Sequence, residues 1–240
     1  MQQRHFSYIY TQKPSLTVIK GIRKIRSSSC LNSFSVAAAD TLLFDCFQHA
    51  MSVLLIAGSP AVPSRSGALL SAVSHAVTAR YPDLCQETLQ VRDLPPVALL
   101  QADWSDERLA HAIQQVKRAQ HIVLATPIYK AAYSGVLKAF LDLLPQDALR
   151  EKTVLPLATG GSSLHMLALD YALRPVLQSM SPRLVLQGVY ATDAQLNKRP
   201  LGGYDIAPEI VQRLFEAVDT LLPAVQQAPA RAALATCPVA

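Results

Sequence analysis

Three short stretches of this 240-residue chain hold the side chains best suited to chemistry. The first, "GSPAVPSRSG" from Gly58 to Gly67, offers Ser59, Ser64, Arg65 and Ser66 with no acid among them. They directly precede an apolar pattern of helical spacing. Hydroxyls, a guanidinium and the free N–H groups of a helix N-terminus form a set of donors suited to a terminal phosphate monoester. The same residues also suit a plainer role, with Ser66 capping the helix and Arg65 solvated. The second stretch, "TPIYKAAYSG", puts Pro127 at a turn and lets Ile128 and Tyr129 lie against a flat aromatic ligand. Alternatively, Tyr129 and Tyr133 are ordinary surface packing. The third, "ATGGSSLHML", has Gly160 and Gly161 for close backbone approach, and Thr159, Ser162 and Ser163 as donors. A tight turn and helix cap is the bland alternative here.

Other chemistries find little support. The first loop lacks the GK[ST] ending of a triphosphate-binding loop and the GxGxxG of a dinucleotide crossover. Cys30, Cys46, Cys85 and Cys237 are scattered, with no CxxC pair and no histidine at ligand spacing. No metal site and no disulfide framework is therefore expected, and buried or tail thiols in a reducing, cytoplasmic setting fit better. His165 could donate a proton near the ligand, but a His in the first turn of an amphipathic helix is more often simply exposed, and His75, His111 and His121 read as structural. The net charge of +5 misleads. Residues 1–50 hold six Lys/Arg against Asp40 and Asp45, which leaves 16 basic and 15 acidic side chains from Met51 onward. A near-neutral body does not carry the footprint of a nucleic-acid binder. No apolar run is long enough to span a bilayer.

The loops need elements to position them. "SVLLIAG", "CQETLQVRDL", "HIVLATP", "KTVLPLATGG" and "RLVLQGVY" read as five strands, mostly continuous apolar runs of the kind buried on both faces. Between them lie helical patterns: "SGALLSAVSHAVTARY" opened by Ser66, "SDERLAHAIQQVKRAQ" capped by Ser105, "AAYSGVLKAFLDLL" and "HMLALDYALRPVLQSM". "APEIVQRLFEAVDTLLPAV" closes the chain's body. This alternation predicts an α/β fold, a flavodoxin-like doubly wound five-stranded parallel sheet of order 2-1-3-4-5 with helices on both faces. Ligands of such sheets bind at the strands' carboxyl ends, where all three loops fall.

Residues 51–225 form the expected domain, and 226–240 an Ala/Pro-rich disordered tail. Residues 1–50 read as an extension. Their first 39 positions lack acids, which resembles a transit peptide. The preferred reading is a misassigned start, with Met51 as the natural one.

A phosphate cradle, an apolar-aromatic wall and a donor-rich glycine turn together describe a pocket for flavin mononucleotide (FMN). "GSP…PSRSG", "TPIYKAAYSGVLKAFLDLLP" and "LPLATGGSSLHMLALDYALRPVL" resemble the NAD(P)H-dependent FMN reductases of two-component alkanesulfonate monooxygenase systems, over roughly Ser52 to Ala224. The resemblance implies a cytoplasmic oxidoreductase that reduces free FMN with NADPH, or NADH, and passes FMNH2 to a separate flavin-dependent monooxygenase for sulfur acquisition. It implies that Ser59, Arg65 and Ser66 grip the phosphate, that Pro127, Ile128, Tyr129 and Lys130 line the isoalloxazine, and that Thr159, Gly160, Gly161, Ser162 and Ser163 run along its other edge. It implies a π-bulge at Tyr133 that loosens flavin binding at a subunit interface, in a homotetramer exchanging with dimers. No side chain is expected to act as an obligatory acid, base or nucleophile, because the cofactors carry the chemistry. Alternatives are a tightly FMN-bound quinone, azo or chromate reductase, a flavodoxin-like electron carrier, and a nucleotide-fold module without redox activity.

Overall fold

The computed structural model of the chain describes residues 52–200 and 202–222; the expected N-terminal extension and C-terminal tail lie outside them. A parallel sheet runs through the middle. Its strands are β1 (Ser52–Ala57), β2 (Cys85–Gln90), β3 (His121–Tyr129), β5 (Thr153–Gly160), β6 (Leu184–Val185) and β7 (Val189–Thr192), and a short β4 (Ala132–Tyr133) pairs antiparallel with the end of β3. The order β2-β1-β3-β5 is followed by β6 and β7, both beside β5. This is the flavodoxin-like order, with the last strand in two pieces.

The apolar runs explain the sheet's two covered faces. Leu54 and Ile56 of β1, with Ile122 and Leu124 of β3, join one buried cluster; Val53, Leu55 and Ala57, with Val123 and Ala125, join the other. Helices α1 (Arg65–Arg80) and α6 (Pro208–Leu221) cover the second face, while α2 (Pro96–Gln101), α3 (Glu107–Arg118), α4 (Gly135–Leu141) and α5 (Arg174–Ser179) cover the first. In α1 the buried Leu69, Leu70, Val73, Ala76 and Val77 repeat at helical spacing against the sheet.

Pro156 accounts for the divided last strand. Leu186 N–H donates to Val154 O at 2.9 Å, so the backbone groups of Val154 and Pro156 face this neighbour. Pro156 has no N–H to give, and the ladder stops after Val154↔Val185. It resumes at Leu157↔Val189 with one extra residue on the outer chain, a bulge.

Several local expectations are corrected. The cap of α1 is Ser64, whose Oγ accepts from Gly67 N–H at 3.0 Å, so Ser66 is the second residue of the helix. The cap of α3 is Asp106 and not Ser105: its carboxylate takes the N–H groups of both Arg108 and Leu109, which a hydroxyl facing a helix dipole does less well. Cys85 is exposed because it opens the edge strand β2. "AAYS", from Ala131 to Ser134, is not helical. Ala132 and Tyr133 form β4, and Ser134 caps α4 by accepting from Leu137 N–H. The helix expected from His165 to Met180 is three pieces: a 3₁₀ turn (Ser163–Leu167), a π turn (Leu169–Leu173) and α5. A π element is present, then, but at Leu169–Leu173 and not at Tyr133, which sits in a strand. A hairpin, β8 (Leu196–Lys198) with β9 (Tyr204–Ile206), was not anticipated.

Candidate active site

All three loops meet at the carboxyl end of the sheet. Gly58 ends β1 with its N–H on Ala125 O at 2.8 Å, and a Cβ there would come within 3.0 Å of Leu137 and 3.1 Å of Ala125 O. Glycine is what lets the first loop leave the strand so close to β3 and α4. The buried Ser59 then folds the loop on itself, its Oγ accepting from Ala61 N–H at 3.2 Å. Ser64, Arg65 and Ser66 follow at the mouth of α1, and all four of these polar residues border one cleft.

The cleft's electrostatics come from α1. Ser64 satisfies the N–H groups of Gly67, by its side chain, and of Ala68, by its carbonyl. Those of Arg65 and Ser66 have no carbonyl a turn earlier to bond. Two side-chain donors share their condition: Ser66 Oγ and Arg65 Nε are buried and without a hydrogen-bond partner. Arg65 Nε lies 3.5 Å from Asp193 Oδ1, an ion pair without hydrogen-bond geometry. Unsatisfied buried donors gathered at a helix N-terminus favour an oxyanion.

Loop two is held rigidly. Thr126, fully buried, accepts Ser134 N–H at 3.0 Å, and Ser134 Oγ donates to Gly58 O, joining loops one and two. Pro127, Ile128 and Tyr129 border the cleft, Ile128 buried and Tyr129 half exposed. Lys130 and Ala131 turn the β3–β4 hairpin with φ of +51° and +61°, and Lys130 lies outside the cleft because that turn carries it away.

Loop three contributes Thr159, Gly160 and Gly161. A Cβ at Gly160 would approach Tyr190 Oη to 2.5 Å; that hydroxyl donates to Ser162 O at 2.6 Å and so sets the turn. Burial, and then the Asp193 carboxylate, push the Tyr190 phenol above its usual range, keeping it a donor. Ser162 and Ser163 do not border the cleft. Ser162 Oγ is occupied with Leu164 N–H, and Ser163 is exposed on the 3₁₀ turn. His165, half exposed, also lies outside it.

Two residues that the sequence reading missed complete the wall: Asp193 and Tyr204, the latter's ring 5.4 Å from the Arg65 guanidinium carbon. Asp193 follows Thr192, the register partner of Gly160, so the carboxyl-end rule applied to the fifth strand would have found it. Tyr204 comes from the hairpin, whose signal was Gly202-Gly203, both at positive φ. A larger hollow of about 610 Å³, with Lys117, Arg118, Arg150 and Arg183, lies at the amino ends of the strands, away from these loops. Among the described residues no cluster of His, Cys, Asp and Glu is arranged to hold a metal, and no helix is long and apolar enough to cross a membrane.

The family described as NADPH-dependent FMN reductase matches residues 51–197. An "FMN reductase (NADPH)" of Pseudomonas putida strain KT2440 is 40% identical over 183 residues, spanning 75% of this chain and 90% of that protein. The protein of the same description from Escherichia coli K12 is 41% identical over 180 residues, spanning 74% and 91%. The crystal structure of an NADH:FMN oxidoreductase, EMOB, in its apo form aligns with a TM-score of 0.65 at 42% identity, covering 71% of this chain and 88% of the other. The chain belongs to the NADPH-dependent FMN reductase family.

Proposed function

We propose that this chain, an NAD(P)H-dependent FMN reductase, takes FMN as a loosely held substrate and supplies the reduced flavin to a separate monooxygenase that desulfonates alkanesulfonates. The observation that carries the site is the pair of buried donors without partners, Ser66 Oγ and Arg65 Nε, at the mouth of α1. With the free N–H groups of Arg65 and Ser66 they fit a phosphate monoester. Ile128 and Tyr129 offer the flat apolar wall for the isoalloxazine, and Thr159, Gly160 and Gly161 the backbone edge along it. Bound flavin supplies the hydride-accepting ring, which NADPH reduces. The protein's part is to fix that ring's position and orientation. The NADPH in the names of the two bacterial relatives supports NADPH as the donor.

Cleft size supports loose holding. At about 170 Å³ it is smaller than the roughly 300–1,000 Å³ of pockets that engulf a whole ligand. A mononucleotide seated here keeps part of its surface outside, as suits a molecule handed on each turnover. The segment after loop three exposes Leu164, Met166, Leu167 and Tyr171, which supports association of copies into a dimer or tetramer.

The partnership is tested by growth. A strain lacking the gene should grow on sulfate but fail on an alkanesulfonate as sole sulfur source, and recover with the gene restored. Undiminished growth on the sulfonate, with no second flavin reductase present, contradicts the partnership.

A further inference from the structure

We propose that Asp193 is an internal competitor for the flavin phosphate, occupying the Arg65 guanidinium that FMN must recruit and thereby setting how loosely flavin is held. The inference rests on the assignment of the phosphate to Arg65 and Ser66.

Asp193 is the only acid bordering the cleft among the described residues, and it stands opposite the only cation bordering it. Its Oδ1 lies 3.5 Å from Arg65 Nε, yet Nε has no hydrogen bond. The pair therefore has charge attraction without directional bonding, so a better-placed oxyanion displaces it readily. Both side chains are partly open to solvent, at 37% and 44% exposure, which keeps the attraction weak.

The carboxylate is held in place from behind. Gln195 Oε1 accepts Thr192 N–H at 3.0 Å, and Gln195 Nε2 donates to Glu209 Oε1 at 3.0 Å, fixing the turn that carries Asp193 to the N-terminal turn of α6. Oδ2 is also close to loop three, 3.9 Å from where a Cβ on Gly161 would stand. Arg65 is steadied separately by the Tyr204 ring. When a phosphate takes Arg65, the Asp193 carboxylate remains nearby as an unpaired like charge.

Two consequences follow from this arrangement. Competition acts only on a ligand that carries the phosphate, so riboflavin escapes it. Binding of FMN also exchanges one ion pair for another, so salt should weaken it less than it weakens an uncontested phosphate contact.

Flavin fluorescence quenching by the purified full chain, with FMN and riboflavin titrated separately at low and high salt, tests this without reference to turnover. Asp193→Asn should tighten FMN about 5- to 20-fold, the scale of a weak screened pair plus a like charge removed. Riboflavin affinity should stay within about twofold, and salt dependence for FMN should steepen. Unchanged or weaker FMN binding, or an equal gain for both flavins, overturns the proposal. Arg65→Ala is the control on the underlying reading. If it costs FMN alone, the phosphate assignment stands whatever Asp193 does. If it costs neither flavin, the assignment fails and the competitor with it.

Discussion

At the scale of single residues, Arg65 is where the account is most exposed. Its Nε is buried and without a hydrogen bond, and its neighbour Ser66 Oγ is in the same state. Replacing Arg65 by alanine removes a charged donor and should weaken FMN by about 1–3 kcal/mol, measured by titration. An unchanged FMN affinity would show the phosphate sits elsewhere. These residues were legible in the sequence because donors without acids stood directly before an apolar helical stripe. Their division of labour was not. Ser64 and Ser66 both suit a cap, and only the Gly67 N–H shows that Ser64 has that task, leaving Ser66 Oγ free. Asp193 and Tyr204 were missed for another reason: they reach Arg65 from segments more than a hundred residues away, and only their backbone signals lay in the sequence.

Among the elements, the β3–β4 hairpin is the most telling. Its two turn residues, Lys130 and Ala131, both have positive φ, a conformation that favours glycine or asparagine. Two strained side chains next to Tyr129 mark a turn over-determined by its surroundings, as functional loops often are. Ala131→Gly should relieve the strain and stabilise the protein by about 0.5–1 kcal/mol in denaturant unfolding, after allowing for the extra freedom glycine has when unfolded. A loss of stability would mean the turn carries no such strain. The strand–helix alternation reads "AAYSGVLKAFLDLL" as one helix from its first residue. Hydrogen bonds shorten it: Ser134 N–H goes to Thr126 Oγ1 and Ser134 Oγ to Gly58 O, so α4 begins at Gly135. The same limit hid the broken helix from Ser163 to Ser179, whose apolar spacing was read as one α-helix though its turns are 3₁₀, π and α in succession. The π turn sits about forty residues beyond the position implied by resemblance.

For the molecule as a whole, strand order was legible from continuous apolar runs separated by amphipathic helices, because burial on both faces leaves no alternation. What escaped was geometry set by one missing donor. Pro156 divides the last strand, and the one mark of the break in "RLVLQGVY" is Gly188, where a Cβ would come within 3.0 Å of Pro156 O. The carboxyl-end rule then located the cleft, which all three loops border. The most direct measurement is steady-state NADPH oxidation by the purified chain, after its visible spectrum is recorded, with and without added FMN. A colourless protein whose rate depends on added FMN and saturates with it is the predicted result. A yellow protein that oxidises NADPH at the same rate without added FMN, passing electrons to a quinone or dye, would contradict flavin as a loosely held substrate.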